Sequence, residues 1–155
     1  MTRRPLFALA VATVFGIGYV PVASGTFGAA AGLVLWWLLP ASAAAQTAAI
    51  LILLALGSWS GTIAEHHFGT NDPSAVVIDE VMGMLITLFM VPVGWGGALF
   101  GFFLFRAADV VKPFPANRLE RLPGGLGVMA DDGMAAIYAN FALRLALLAW
   151  HWVMA

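Results

Sequence analysis

Two stretches of this sequence, Ala43–Ile63 and Met134–Met154, are apolar over the length that a bilayer-spanning helix requires, about 20 residues. Four shorter apolar segments accompany them: Pro5–Val20, Phe27–Leu39, Val76–Val91 and Trp95–Val111. Segments of that length must tilt, pair as hairpins or lie partly in the interface. Only 10% of the residues are charged and the mean hydropathy is +0.94, whereas a soluble domain carries about 25% charged residues. The expected fold is therefore all-α: a compact, multi-helix, membrane-embedded bundle of about six apolar segments. The length allows one domain, residues 1–155. The basic start and apolar middle of residues 1–24 mimic a secretory signal. Equally apolar segments follow, so this stretch reads as a retained first helix.

The charges are not shared among the breaks between these segments. All 8 carboxylates fall in two stretches, Glu65, Asp72, Asp79 and Glu80 in the first, Asp109, Glu120, Asp131 and Asp132 in the second. Arg106, Lys112, Arg118 and Arg121 join the second, leaving only Arg3, Arg4 and Arg144 elsewhere. One working face follows. If both stretches lie on it, residues 81–105 must enter the membrane and return, turning at VPVGWGG, with Val76–Val91 as a helix about 24 Å long. Phe27–Ile63 forms a second hairpin, turning at Pro40, which brings Gly25 and Thr26 to the same face. The positive-inside tendency places that face in the cytoplasm, together with Arg3 and Arg4. Both placements hold only if the first helix does not fully cross. A net charge of -1 gives no footprint for nucleic acid, and the absence of cysteine excludes disulfides, thiolate metal sites and a cysteine nucleophile.

Three motifs can carry chemistry. In VVIDEVMGM, Asp79 and Glu80 open an apolar helix. A helix dipole accounts for one acid there, but two adjacent acids point to different faces and both need partners. Gly83, one turn on, leaves room for a helix or ligand. In FRAADVVKPFP, Arg106, Asp109 and Lys112 share one stripe of a helix ending before Pro113. They form either a self-satisfied ion-pair row or a metal-binding Asp109 between two phosphate-gripping cations. In GGLGVMADD, one of Asp131 and Asp132 serves as an N-cap and the other has no structural duty. Gly124, Gly125 and Gly127, like the SGTFG turn from Ser24 to Gly28, can turn backbone N–H groups toward an anion or merely serve the helix. His66 and His67 read as interfacial polar residues outside any metal shell. Glu65 and Glu120 read as surface charges.

In this order, GTFG, the Asp72–Pro73 pair, VVIDEVMG, FRAADVVKPFP and GGLGVMADD resemble the bacterial phosphatidylglycerophosphatase A family over most of the chain. IDE, FR-x-x-D-x-x-KP-x-P and G-x-G-x-x-x-DD in sequence are the specific elements. Two positions depart from the family pattern: Ser24 stands where it has a proline, and Ala29 where it has a serine. The resemblance implies Mg²⁺-dependent removal of the terminal phosphate of phosphatidylglycerophosphate, giving phosphatidylglycerol, by a multi-pass protein of the bacterial cytoplasmic membrane. It sets no oligomeric state. The implied site has Asp79, Glu80, Asp109, Asp131 and Asp132 as metal ligands, and Arg106, Lys112 and Thr26 on the phosphate. Asp79, Glu80 and Asp132 are the expected catalytic groups, with Glu80 as the base that activates water; a carboxylate nucleophile is the competing route. A small cation transporter using the same carboxylates is the rival from another class, but Arg and Lys beside the acids oppose cation transit.

Overall fold

The computed structural model describes residues 3–154, and side chains from Pro5 onward. The expected position of the Arg3 and Arg4 side chains therefore falls outside the described residues. Seven α-helices and one short 3-10 turn make up the regular structure, with no strand among the described residues. They are α1 (Arg3–Ala12), the 3-10 turn (Ile17–Tyr19), α2 (Ser24–Leu38), α3 (Ala43–Phe68), α4 (Ile78–Thr87), α5 (Trp95–Val111), α6 (Ala116–Leu119) and α7 (Gly125–Met154). The all-α expectation holds. Two helices, α3 and α7, are long and apolar enough to cross a membrane.

Several elements are shorter or longer than the hydropathy pattern suggests. The segment Pro5–Val20 yields only α1, ten residues or about 15 Å, before the chain breaks into turns at Thr13–Gly16. Half a bilayer is the most that α1 can traverse. Val76–Val91 was expected as a helix of about 24 Å; α4 has ten residues and stops at Thr87, whose hydroxyl donates back to the Gly83 carbonyl at 2.9 Å. In the other direction, α7 begins at Gly125, well before Met134. Its start is fixed from another element, because Thr62 Oγ1 of α3 accepts the Gly125 N–H at 2.9 Å.

Helix α4 is the axis of the bundle. Its residues Ile78, Asp79, Val81, Met82, Gly83, Met84, Leu85 and Thr87 are all buried, as a helix apolar on every side must be. Helices α2, α3, α5 and α7 surround it. At Gly83 the ring of Phe105 from α5 occupies the space of a side chain: an added Cβ would lie 2.4 Å from it. The two expected hairpins exist as turns, α2 to α3 around Pro40 and α4 to α5 through Pro92. After its turn, however, α2 packs on α4 while α3 packs on α1 and α7. The N-terminal ends of α2, α4 and α7 and the C-terminal ends of α3 and α5 thereby meet at one end of the bundle.

The opposite end closes on the C-terminus of α4. Asn140 Nδ2 donates to the carbonyls of Ile86, Thr87 and Phe89 at 3.1, 2.9 and 3.2 Å. Arg144 Nη2 donates to Phe89 and Met90 carbonyls at 2.8 and 3.1 Å, and its Nε donates to Asn140 Oδ1 at 2.8 Å. Gln46 of α3 accepts the Met90 N–H at 3.0 Å. These bonds supply partners that the last carbonyls of a helix lack.

Candidate active site

Where the helix ends converge, a cavity of about 590 Å³ opens, lined by Asp79, Glu80, Arg106, Asp109, Lys112 and Asp132 among others. Asp79 and Glu80 come from the first turn of α4, Arg106 and Asp109 from the last turns of α5, and Asp132 from the second turn of α7. Three of these acids, Asp79, Glu80 and Asp132, each offer a carboxylate oxygen within 4.8 Å of the other two. Asp79 and Asp132 are 5% and 4% exposed, and Asp79 Oδ1, Glu80 Oε2 and Asp132 Oδ2 are buried without a hydrogen-bond partner. Unpaired buried carboxylates are costly and are otherwise met by pairing or by a metal. The three carboxylates could hold a metal ion, and an all-oxygen donor set suits a hard divalent cation.

The remaining expected ligands, Asp109 and Asp131, are paired with cations. Asp109 lines the same cavity, but its Oδ2 accepts a short hydrogen bond from Arg106 Nη1. That guanidinium also lies 3.8 Å from Glu80 Oε1, so Arg106 bridges α5 to the acid cluster. Asp131 turns away: its Oδ2 accepts from Lys112 Nζ at 2.7 Å and its Oδ1 from the Asp132 N–H at 2.9 Å. Neither Asp131 nor Asp132 is an N-cap, because α7 starts six residues before the first of them. Lys112, in the left-handed conformation at the C-cap of α5, also reaches Glu120 at 3.4 Å and Asp72 at 3.7 Å. The stripe Arg106–Asp109–Lys112 is thus split, with Arg106 and Asp109 paired and Lys112 serving a second group of acids. Burial alone would lower the Lys112 pKa, but the Asp131 hydrogen bond and the charges of Asp131, Asp72 and Glu120 hold it above the usual lysine range. Lys112 stays protonated. Burial pushes Asp72 upward, against the opposing pull of Lys112.

Glu120 is a surface charge as expected, whereas Glu65 is half-buried. Glu120 pairs with Lys112, and Glu65 Oε1 accepts the Asp72 N–H at 3.3 Å, tying the end of α3 to the loop before α4. His66 and His67 are exposed in the last turn of α3. Thr26 is half-buried and does not line the cavity, whereas Ser24 and Gly25 do.

Gly25 was missed as a site residue. A Cβ there would fall 2.1 Å from Glu80 Oε1 and 2.9 Å from Arg106 Nη1, so the bare backbone of α2 forms the wall against which both groups rest. The SGTFG glycine was the available signal, but it suggested an anion turn instead of a space requirement. Gly125 is similar. Its N–H is taken by Thr62, and an added Cβ would meet the α3 backbone at Ser58 O, 2.5 Å away, so it serves the α3–α7 crossing.

An all-helical chain with two bilayer-length helices gathers carboxylates and cations around one cavity, which defines a class: a protein equipped for a metal ion together with an anion. Comparison with known proteins gives the member of that class. Residues 10–147 match phosphatidylglycerophosphatase A, and the chain belongs to that family of phosphoric monoester hydrolases. It is 37% identical over 154 residues to a Bacteroides thetaiotaomicron protein named "Putative phosphatidylinositol-3-phosphatase", covering 93% of this chain and 96% of that one. The phosphatidylglycerophosphatase A of Haemophilus influenzae is 37% identical over 140 residues, covering 88% and 85%. That of Escherichia coli is 32% identical over 152 residues, covering 96% and 86%. No solved structure matches the chain.

Proposed function

We propose that this chain is a Mg²⁺-dependent phosphatase that hydrolyses the terminal phosphomonoester of phosphatidylglycerophosphate, yielding phosphatidylglycerol for membrane lipid synthesis. One observation carries the reading: three acids, each with a buried, unpartnered carboxylate oxygen, line the cavity that Arg106 and Lys112 also line. Acids alone would suit cation storage or transit, but fixed cations beside them call for an anionic ligand. Residues 1–155 act as one domain, crossing the bacterial cytoplasmic membrane several times with the cavity toward the cytoplasm, where Arg118 and Arg121 also lie.

Asp79, Glu80 and Asp132 would hold the Mg²⁺, which when bound neutralises phosphate charge and makes water a better nucleophile. Arg106 presents its guanidinium to the phosphate oxygens, and the Asp109 pair fixes its aim. Asp131 orients Lys112 toward the same cavity. Glu80, resting against Gly25 and 3.8 Å from Arg106, accepts the proton of the attacking water. Water adds to phosphorus, the ester P–O bond breaks, the leaving glycerol oxygen takes up a proton from solvent, and Glu80 returns the water proton to solvent. Attack by a carboxylate, giving an aspartyl-phosphate, is separated from this route by trapping a phosphoenzyme or by following solvent ¹⁸O into phosphate in a single turnover.

The similarity to a protein named as a phosphatidylinositol-3-phosphatase favours a second substrate on the same site. The decisive assay measures phosphate release by the purified chain in detergent from phosphatidylglycerophosphate and from phosphatidylinositol 3-phosphate, with Mg²⁺ and with EDTA. Chelation should abolish release, and phosphatidylglycerophosphate should be the faster substrate. Activity indifferent to EDTA, or surviving both Asp79→Asn and Asp132→Asn, would overturn the reading.

A further inference from the structure

Charged groups of the cavity come from α4, α5, α7 and the loop at Asp72, but one wall has another character. Tyr19, Val20, Pro21 and Ala23 line it without a single charge, in the strap joining α1 to α2. Tyr19 is 57% exposed although it lines the cavity, so this wall is also the rim. The strap is not a loose connection. The Val77 N–H donates to the Ala12 carbonyl at 2.9 Å at its start, and Ser24 Oγ donates to the Ser74 carbonyl at 2.7 Å at its end. Between them Gly18 is pressed so close to the Ala75 carbonyl that an added Cβ would sit 1.8 Å from its oxygen. All three anchors fall on residues 74–77, which lead directly into Asp79 and Glu80. The strap holds Val14, Phe15 and Ala23 in the left-handed region, at φ 47, 54 and 54°. Non-glycine residues stay there only where the surroundings fix them, and such strain concentrates at ligand clamps.

We propose that this strap is the lipid-side wall of the site, and that Tyr19, Val20 and Pro21 take the first acyl carbons of the substrate while its phosphate meets Arg106. The inference rests on the lipid-phosphatase reading and adds to it the feature that selects a lipid over a soluble phosphomonoester. The occupant is argued from continuity: the uncharged wall adjoins the phosphate chemistry in one cavity and opens outward at an exposed aromatic ring. With the terminal phosphate against the charged wall, the glycerol and phosphodiester bridge the cavity and the acyl carbons beyond them reach its uncharged rim. Tyrosine suits such a rim, since its ring is apolar and its hydroxyl stays wet.

The test compares dioleoyl phosphatidylglycerophosphate with its deacylated form, glycerophosphoglycerophosphate, on the full chain in detergent with Mg²⁺. Tyr19→Ser/Val20→Ser should lower the ratio of kcat/KM for the acylated over the deacylated substrate about tenfold, what burial of roughly two methylene groups is worth. Tyr19→Phe/Val20→Ile, which keeps the apolar wall, should retain the wild-type ratio. A serine variant with the wild-type ratio, whether or not both activities fall together, overturns the proposal. A wild-type chain that releases phosphate from neither substrate overturns the functional reading, and this inference with it.

Discussion

At the C-terminal end of α4, the carbonyls of Ile86, Thr87, Phe89 and Met90 each have a donor from Asn140 or Arg144. At its N-terminal end, oxygens of Asp79, Glu80 and Asp132 are buried together with none. One ten-residue helix therefore ends in a satisfied polar cluster and begins in an unsatisfied one. Polar groups that only hold a fold together find partners within it, because leaving a buried group unpaired costs about 1–3 kcal/mol. The orphaned acids at the other end are the groups that the proposed metal ion would satisfy.

The sharpest way to break the comparison is at the orphaned end. Asp79→Asn and Asp132→Asn should each lower phosphate release on the order of 10²–10³-fold, the scale of losing one charge-stabilising group. Neither should lower the thermal midpoint in metal-free detergent, because each removes repulsion among buried like charges. Added Mg²⁺ should raise the midpoint of the wild type, by about 2.7 kcal/mol in stability at 100 times its Kd, and leave both variants unmoved. A variant that melts lower without metal would mean that these acids are structural after all.

Next in size is Gly25→Ala. The new methyl group must displace the Glu80 carboxylate and the Arg106 guanidinium, whose atoms lie 2.1 and 2.9 Å from its position. Misplacing catalytic groups by an ångström costs roughly 100-fold. Steady-state phosphate release should show that loss in kcat, with the thermal midpoint changing little because both displaced groups are flexible side-chain ends. Wild-type kcat in this variant would refute the role of the bare α2 backbone.

The satisfied end predicts the opposite pattern. Asn140→Ala strands the Thr87 carbonyl and should destabilise the protein by about 1–3 kcal/mol, measured by thermal or denaturant unfolding in detergent. The kcat of the folded fraction should stay near wild type, since Asn140 lies two helical turns beyond Asp132 on α7. A lost kcat with unchanged stability would show that the far end acts on the reaction.

The same contrast explains what the sequence could tell. Composition and segment hydropathy were enough for an all-α fold, and the confinement of every carboxylate to two stretches brought Asp79, Glu80, Arg106, Asp109 and Asp132 to one face. Those signals are local. Helix ends are not: α4 stops where Asn140 and Arg144 receive its carbonyls from more than 50 residues away, and α7 starts where Thr62 receives the Gly125 N–H from 63 residues away. Pattern along the chain carries no trace of such bonds, so the lengths of α1, α4 and α7 and the duty of Arg144 were hidden. Within the site, residue types were legible but their pairings were not. Lys112 could reach Asp109 along its own helix or Asp131 from another, and only packing chooses Asp131.

Thr26 sets the lower bound of the contrast. It sits in the GTFG element that resembles the family, and it was expected on the phosphate. In the structure its N–H donates to the Ala23 carbonyl at 2.9 Å, and neighbouring Ser24 and Gly25 line the cavity in its place. Thr26→Ala should therefore change kcat/KM by no more than about twofold, the effect of a substitution that touches neither core nor site. Arg106→Lys should lose roughly tenfold or more, because Nη1 is engaged by Glu80 and Asp109 and an ammonium has no second planar N–H group to offer the phosphate. If Thr26→Ala instead matched the Arg106 loss, the first turn of α2 would have to rotate its hydroxyl into the cavity when substrate binds. Gly25 could not then remain flush against Glu80, and Gly25→Ala would become the milder of the two changes.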